Sequence, residues 1–468
     1  MEKPSVILIT VDCLRSDHLG CYGYHRNTSP NIDNLASKGA LFLEAISNGG
    51  YTPDSFPSIL ASQLPPLSLD EYRRIMQRSP TLAGVLRQAG YRTAAFHSNP
   101  FLAECFHYDN GFDVFEDSLG IFNNLQRRRI KLRLIRKSRG INRLRNTLGA
   151  LLNLLLFSLG KQREVTAGKL TSRLLSWLDS CRDSCFLWSH YMDVHNPYLP
   201  PSKYVRQLLK RRISRRRMIR LHSKQMKAFK LADIRQAEWL SAADIDDLAD
   251  LYDANIRYVD DNIGRFLESL GSRLENSIII ITADHGDAFG EHGSLGHTST
   301  LYEELVHVPL IMVGPGIKAG TVIREPVELM SLAPTVTDLL ALGSVDGFRG
   351  RSLLPLMKGA KITAKGTIST RQVPENNQRL ISYRTLEWKY IRTECLDEAD
   401  TILSEEVYDL RNDPREEHNL CDSEAGEVKA FKLEAAAKVL EFKQLKREDE
   451  IAYEKERIRA KLRRIPGL

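Results

Sequence analysis

Two short runs of aliphatic residues constrain the fold of this chain most strongly. Residues 6–11 form the first run, which leads directly into Asp12. Residues 277–282 form the second run, which is soon followed by Asp284 and His285. Apolar runs of this length are typical of strands that are buried on both faces, as in parallel sheets. Because ligands bind beyond the carboxyl ends of such strands, we expect both acidic clusters at a ligand-binding edge.

Segments with helical spacing lie between these runs. They cover residues 29–38, 81–89 and 248–270, and a further buried strand is predicted at residues 306–313. Strands that alternate with helices are typical of a sheet covered by helices on both faces. The sequence therefore predicts an α/β fold with a mostly parallel central sheet flanked by helices.

The length of 468 residues allows one large domain with insertions or two to three smaller domains. We predict a catalytic domain over residues 1–365, which contains a basic helical insertion with few strand signals at about 119–240. Residues 366–468 are predicted to form a smaller α+β subdomain. Its predicted elements are short strands at 378–383 and 387–392 and a charged helix at 423–464.

The formal net charge of +7 arises from two local basic clusters, residues 127–145 and 210–220. A local excess of this kind does not imply a general nucleic-acid footprint, so no nucleic-acid partner is expected. The longest apolar stretch, residues 148–159, is too short to cross about 30 Å of hydrocarbon. Two interpretations of the insertion remain open: a solvated helical cap over the site, or a peripheral membrane contact through residues 127–145.

The first predicted strand begins near residue 5, which leaves no room for a signal peptide before it. The seven cysteines show neither the paired CxxC spacing of zinc sites nor a dense disulfide framework. Both features predict a cytoplasmic protein in a reducing compartment.

The residues after the two strands offer ligands for a metal ion. Asp284 and His285 are followed by a glycine, and two such side chains are costly to bury unless something coordinates them. Asp12 alone fits a helix cap equally well, and the second cluster also fits a polar turn. Carboxylate and imidazole ligands suit Ca²⁺, Mn²⁺, Mg²⁺ or Zn²⁺.

A Gly/Pro loop at residues 49–60 offers hydroxyl groups and is predicted to run into a helix. A hydroxyl at this position can bind a metal ion, lose its proton and act as a nucleophile. The backbone N–H groups of the helix start would bind an oxyanion. The alternative is a serine-rich helix cap without a catalytic role.

Several segments occur in the order that is typical of one known family. The sequence resembles the sulfatase-like branch of the alkaline phosphatase superfamily, which includes sulfatases, phosphodiesterases and phosphotransferases. Residues 11–23 resemble the opening metal motif of that family, and residues 282–293 resemble its second metal motif. The other similar segments are residues 90–96, 111–115, 190–198, 301–309 and 407–414.

The resemblance implies one divalent metal ion held by Asp12, Asp284 and His285, with the nucleophile as the remaining protein ligand. His195 and His297 match histidines that commonly face the ester group. A core or turn position for His195 and a capping position for His297 stay open as alternatives. The weaker candidates are His190, Asn99 and His292.

The nucleophile loop departs from the family pattern. Sulfatases usually carry Cys, or sometimes Ser, at the start of a C/S-x-P-S/A-R signature, yet no cysteine lies between residues 21 and 105. One alignment puts Ser55 at the first position, whereas the alignment that we prefer puts Thr52 there. The arginine of the signature is then Phe56, and the second acidic ligand of the family is Cys13, which predicts a looser or single-ion site.

These departures favour a direct threonine alkoxide mechanism on a phosphate ester, preferably a phosphodiester, in which Thr52 is both ligand and nucleophile. Two alternatives remain: a true sulfatase that uses Ser or Thr, and a catalytically degenerate family member that binds a ligand or a membrane. The expected substrate is a small-molecule, lipid-linked or glycan-linked ester.

Overall fold

The computed structural model describes residues 3–118, 165–229, 231, 233–297, 299–360, 366–398 and 400–462. Within these ranges the strands are β1 (Ser5–Val11), β2 (Ala40–Phe42), β3 (Ala45–Ile46), β4 (Arg92–Phe96), β5 (Val114–Glu116), β6 (Cys185–Tyr191), β7 (Ser277–Ala283), β8 (Ala288–Phe289), β9 (Leu295–Gly296), β10 (Leu310–Val313), β11 (Thr321–Ile323), β12 (Val327–Glu328), β13 (Thr367–Val373), β14 (Gln378–Arg384), β15 (Trp388–Cys395) and β16 (Ile402–Asp409).

The helices in the same ranges differ widely in length. They are α1 (Pro30–Ala36), α2 (Thr52–Ala61), α3 (Leu69–Arg78), α4 (Leu82–Gln88), α5 (Ala167–Ser180), α6 (Ser202–Leu209), α7 (Arg215–Ala228), α8 (Ala242–Leu270), α9 (Glu303–Val306), α10 (Leu332–Leu339), α11 (Leu354–Met357) and α12 (Gly426–Leu462). None of the described helices combines the length and apolar character needed to cross a bilayer.

The central sheet has, in the described part of the chain, eight strands in the order β11-β2-β10-β7-β1-β6-β4-β5. β1 lies near its middle and pairs in parallel with both β6 and β7. β10 is antiparallel to its two neighbours, β7 and β2. The residues of β1 and β7 are almost all buried, because helices cover the sheet, and this explains their largely aliphatic sequences. The predicted α/β fold with a mostly parallel sheet is confirmed.

One central strand lies inside the segment predicted as a helical insertion. Residues 185–191 form β6, which is fully buried and pairs with both β1 and β4. Its aromatic and aliphatic residues are a strand signal, but the basic helical segments around it obscured that signal. The basic cluster at residues 127–145 and the apolar stretch at residues 148–159 lie outside the described residues.

The strand predicted at residues 306–313 is shorter in the structure. It begins at Leu310, after Pro309, because proline has no N–H group to donate to a β-ladder. The helical segments predicted at 29–38, 81–89 and 248–270 correspond to α1, α4 and α8.

The second basic cluster faces the acidic first turns of α8. Arg211 pairs with Asp247, and Arg217 pairs with both Asp247 and Asp244. The positive charges of Arg211 and Arg217 are therefore balanced within the protein.

The C-terminal part forms an antiparallel sheet in the order β13-β14-β15-β16, with α12 packed against it. Tyr383 and Trp388 of the sheet both stack on Phe431 of the helix. The sequence predicted β14, β15 and most of α12, whereas β13 and β16 were missed because their apolar residues are interrupted by polar ones.

A buried lysine joins this sheet to the rest of the protein. The Nζ atom of Lys389 lies 3.0 Å from Oε1 of Glu303 in α9 and 2.9 Å from Oε1 of Glu416. Burial alone would lower the pKa of Lys389, but the two carboxylates raise it above its ordinary value. The lysine is therefore charged and compensates the negative charge of both partners.

We expect Lys389→Met to reduce the free energy of unfolding by about 3 to 5 kcal/mol, because it removes the cation that pairs with the buried carboxyl group of Glu416. Urea unfolding measures this loss. The control is Lys438→Met, since Lys438 forms only a partly exposed pair with Glu441, worth about 0.5 kcal/mol. Equal stability of the two variants would contradict the role assigned to Lys389.

Candidate metal centre

The two predicted acidic clusters lie side by side at the carboxyl ends of β1 and β7. Val11 pairs with Ala283 across the parallel strands, so the next residues, Asp12 and Asp284, are neighbours. Both carboxylates and His285 have no exposed surface. The Nε2 atom of His285 lies 3.5 Å from Oδ2 of Asp284 and 3.9 Å from Oδ1 of Asp12.

The backbone around Gly286 fixes the His285 ring. The Nδ1 atom of His285 lies 2.8 Å from the Gly286 carbonyl oxygen, which requires Nδ1–H to be the donor and leaves the Nε2 lone pair facing the carboxylates. A Cβ atom on Gly286 would lie 2.0 Å from the carbonyl oxygen of Glu304. Glycine is therefore required at this point of the motif by close backbone packing.

Thr52 is the first residue of α2, and its hydroxyl faces the same cluster. Its Oγ1 donates to Oδ2 of Asp284 over 2.9 Å and lies 3.5 Å from Nε2 of His285. The Ser55 hydroxyl instead donates to the Thr52 carbonyl oxygen. The amides of Asp54 and Ser55 both donate to the Tyr51 carbonyl oxygen.

Asp12 is held by two of the weaker candidates. Asn99 donates to its Oδ2 over 2.8 Å, and Nε2 of His190 lies 3.1 Å from the same oxygen. Burial opposes the ionisation of Asp12, but the hydrogen bond from His190 and the charges of His195 and His285 hold its pKa well below the usual range. The third weaker candidate, His292, stacks on Tyr302 instead.

His297 and His195 line the outer side of the cluster. The His297 ring lies 4.7 Å from the His285 ring and 5.0 Å from the His195 ring, measured between centroids. Burial lowers the pKa of His297 despite a 3.1 Å contact between its Nδ1 and Oδ1 of Asp287. His195 Nδ1 contacts the Asn196 carbonyl oxygen at 2.6 Å. The six residues predicted for the site thus lie in one place.

The structure adds Arg371, which the sequence analysis did not identify. Its guanidinium carbon lies 4.4 Å from the centroid of the Tyr51 ring, and its Nη1 lies 3.4 Å from Oδ2 of Asp54. Burial raises the pKa of Asp54 to about 6, against the lowering effect of Arg371. No local sequence signal could reveal Arg371, since it lies 317 residues from its partner Asp54.

Strand β13, which contains Arg371, also contacts the loop before Thr52 through backbone hydrogen bonds. The amide of Thr370 donates to the Asn48 carbonyl, and the amide of Gly50 donates to the Thr370 carbonyl. A Cβ atom on Gly49 would lie 2.5 Å from the backbone carbon of Asp54, so this turn requires glycine. β13 and Arg371 together therefore fix the residues that precede Thr52.

Comparison with family models agrees with this arrangement. The model described as Sulfatase matches residues 4–342, and the model described as N-sulphoglucosamine sulphohydrolase, C-terminal, matches residues 290–443. The chain belongs to the sulfatase family. The family predicted from the sequence motifs, one of ester hydrolases, is therefore confirmed.

Individual sulfatases match over segments of different length. Choline-sulfatase from Rhizobium meliloti (strain 1021) is 31% identical over 190 residues, which are 39% of this chain and 35% of that protein. Arylsulfatase K from Danio rerio is 34% identical over 27% of this chain and 24% of that protein. The chain thus spans about a third or less of these two relatives. An arylsulfatase from Clostridium perfringens (strain 13 / Type A) is 25% identical over 90% of this chain and 91% of that protein.

Solved structures of relatives share the fold. The phosphonate monoester hydrolase of Agrobacterium radiobacter has a TM-score of 0.69 and 19% identity, over 95% of this chain and 96% of that chain. A protein solved in complex with its substrate D-glucosamine-2-N,6-O-disulfate has a TM-score of 0.65 and 19% identity, over 97% of this chain and 99% of that chain. At these identities the likeness concerns the fold alone.

We expect Arg371→Met to lower kcat for ester hydrolysis by roughly tenfold to a hundredfold, since a misplaced nucleophile loop is costly for an in-line attack. Steady-state kinetics on an activated ester measures the change. Arg379→Met serves as a control, because Arg379 lies on the next strand and donates to the Leu67 carbonyl, away from Tyr51. A normal kcat for Arg371→Met would contradict the positioning role.

Proposed function

We propose that this sulfatase-family protein is a metal-dependent hydrolase in which Thr52 attacks a phosphate ester, preferably a phosphodiester. The observation that carries the proposal is the position of the Thr52 hydroxyl, 2.9 Å from Oδ2 of Asp284 and 3.5 Å from Nε2 of His285. A hydroxyl among buried carboxylate and imidazole groups has the surroundings that activate a nucleophile.

The donor atoms fit a divalent cation. The ion-pair partners of Asp12 and Asp284 in the described part of the chain are histidines, so a bound cation would supply the positive charge that two buried carboxylates require. Ligand atoms about 2.1 Å from one ion lie about 3.4 Å apart in tetrahedral geometry. The distances of 2.9 to 3.9 Å among Asp12, Thr52, Asp284 and His285 agree with this spacing.

The cation is one of Ca²⁺, Mn²⁺, Mg²⁺ and Zn²⁺, since carboxylate, hydroxyl and imidazole ligands suit all four. When bound, it lowers the pKa of a ligating hydroxyl and neutralises negative charge on the ester oxygens. Asp12, Thr52, Asp284 and His285 would hold it.

The side chains divide the remaining work. Asp284 accepts the hydrogen bond of the Thr52 hydroxyl and orients its oxygen for attack. The Thr52 hydroxyl gives its proton to the Asp284 carboxylate, and its oxygen forms a bond to phosphorus while the bond to the leaving oxygen breaks. His195 and His297 balance the charge that develops on the ester or give a proton to the leaving oxygen. Water then cleaves the phosphothreonine and restores the hydroxyl.

A phosphate ester is favoured over a sulfate ester because threonine at the nucleophile position cannot become formylglycine by the usual cysteine route. Choline-sulfatase and the arylsulfatases are named for sulfate esters, and a sulfatase that uses Thr52 is the second candidate. The phosphonate monoester hydrolase supports phosphorus chemistry on the same fold. The substrate class is a small-molecule, lipid-linked or glycan-linked ester.

The unpaired state of all seven cysteines supports the proposed cytoplasmic location. The proposed domain boundary near residue 365 is supported by the start of the C-terminal sheet at Thr367. A peripheral membrane contact through residues 127–145 remains a separate hypothesis.

We expect Thr52→Ala to abolish turnover, with a loss of at least about a thousandfold in kcat, because no nucleophile remains. Ser55→Ala is the matched control and should retain most activity, since its hydroxyl bonds a backbone carbonyl. Both are assayed on aryl sulfate, phosphate monoester and phosphodiester substrates. An inactive Ser55→Ala variant beside an active Thr52→Ala variant would make Ser55 the nucleophile. Thr52-dependent turnover of the aryl sulfate as fast as that of the phosphate esters would favour a sulfatase that uses Thr52.

Removal of divalent cations by a chelator should abolish turnover, and a single added cation should restore it. Asp284→Asn should bind the ion much more weakly, because it removes a charged ligand that also orients Thr52. Bound metal is counted by elemental analysis after dialysis. Asp261→Asn is the control, as Asp261 pairs with Arg257 on α8. Full activity of the chelated protein would support a metal-free mechanism instead.

A further inference from the structure

The sulfur of Cys13 lies among the polar atoms of the proposed metal centre. Its Sγ is 3.1 Å from Oδ1 of Asp12 and 3.6 Å from Nδ1 of His297. It belongs to two groups of potential ligands whose atoms all lie within 4.8 Å of one another, one with Asp12 and His285 and the other with His195 and His297. Cys13 is completely buried.

We propose that Cys13 is a ligand of the metal ion and that its sulfur donor makes the centre select Zn²⁺ over Ca²⁺. This inference rests on the proposed function, because it concerns the ion that Asp12, Asp284 and His285 would hold. It reverses the expectation that the loss of an acidic residue at position 13 leaves a looser site. The sulfur replaces a carboxylate oxygen as a donor.

The backbone fixes the direction of the Cys13 side chain. Its amide donates to Oδ1 of Asp284 over 3.3 Å, and its carbonyl accepts from the Tyr252 hydroxyl over 2.7 Å. Its φ of 60° lies in the left-handed region, where Asp and Asn occur more often than Cys. The sulfur is thus held beside the carboxylate of Asp12 and does not pack into the apolar core.

Such a sulfur discriminates between cations. Ca²⁺ takes six to eight oxygen ligands and gains little from a thiolate. Zn²⁺ accepts four ligands and combines thiolate, imidazole and carboxylate donors readily. A set in which the sulfur of Cys13 joins the donors of Asp12, Thr52, Asp284 and His285 therefore suits Zn²⁺ better than a set of oxygens and one imidazole.

The absorption spectrum of bound Co²⁺ shows directly whether the sulfur of Cys13 is a ligand. Protein freed of metal is titrated with Co²⁺, and we expect a near-ultraviolet thiolate-to-cobalt charge-transfer band in the wild type. Cys13→Ser should lose that band and keep the visible ligand-field bands. Cys185→Ser should retain both, because Cys185 is also buried but begins β6, at the opposite end of the strand from the site.

Competition between Zn²⁺ and Ca²⁺ measures the selectivity. Cys13→Asp should weaken Zn²⁺ binding by more than about tenfold and strengthen Ca²⁺ binding. Aspartate tolerates the left-handed backbone, so this variant is expected to fold even where the serine variant does not. Circular dichroism confirms folding before either titration.

The outcomes separate this inference from the proposed function. Ligand-field bands in the wild type without a charge-transfer band, or a band that survives in Cys13→Ser, would leave the metal centre intact and overturn the role of Cys13. An unchanged Zn²⁺/Ca²⁺ preference in Cys13→Asp would overturn the selectivity. Absence of every cobalt band from the wild type would reject both the metal centre and the thiolate ligand.

Discussion

The burial of two carboxylates at adjacent strand ends is the constraint on which the rest of this structure depends. Asp12 and Asp284 have no exposed surface, and ionised groups in such a position are costly unless they are paired and hydrogen-bonded. The fold meets this requirement with fixed donors. His190 and Asn99 bond Asp12, while Thr52 bonds Asp284. The Thr52 hydroxyl, which is the proposed nucleophile, is therefore one of the groups that compensate the buried negative charge.

The C-terminal sheet forms part of the proposed site, because its strand β13 contacts the loop before Thr52. The amide and the carbonyl of Thr370 in β13 both form hydrogen bonds with the loop before Thr52, and Arg371 lies against the Tyr51 ring. Lys389 anchors the same sheet to Glu303, close in sequence to the second metal motif. Loss of packing between the two parts would displace Thr52 relative to Asp284, so stability of this interface and catalytic geometry are coupled.

The sequence predicted those features that local patterns encode. The strands before Asp12 and Asp284 are largely aliphatic runs, and the motifs around them carry the family resemblance. β6 was missed because a short strand between basic helices has a weak local signal, although it adjoins β1. Arg371 was missed for a different reason, since only the folded chain brings β13 to the nucleophile loop. Periodicity reports burial, whereas contacts across hundreds of residues depend on topology.

Arg371 and Cys13 are the two points at which the proposed site departs most from the family pattern. In the alignment that puts Thr52 at the first position of the signature, Phe56 stands in place of the arginine, and its ring packs edge-on against His190 in the interior. Another cation, the guanidinium group of Arg371 in β13, lies near the same loop and pairs with Asp54. At position 13 the backbone amide still bonds Asp284, while the side chain offers sulfur in place of oxygen. Because this amide bond does not involve the side chain of residue 13, the backbone there can stay in place while the proposed donor changes from oxygen to sulfur.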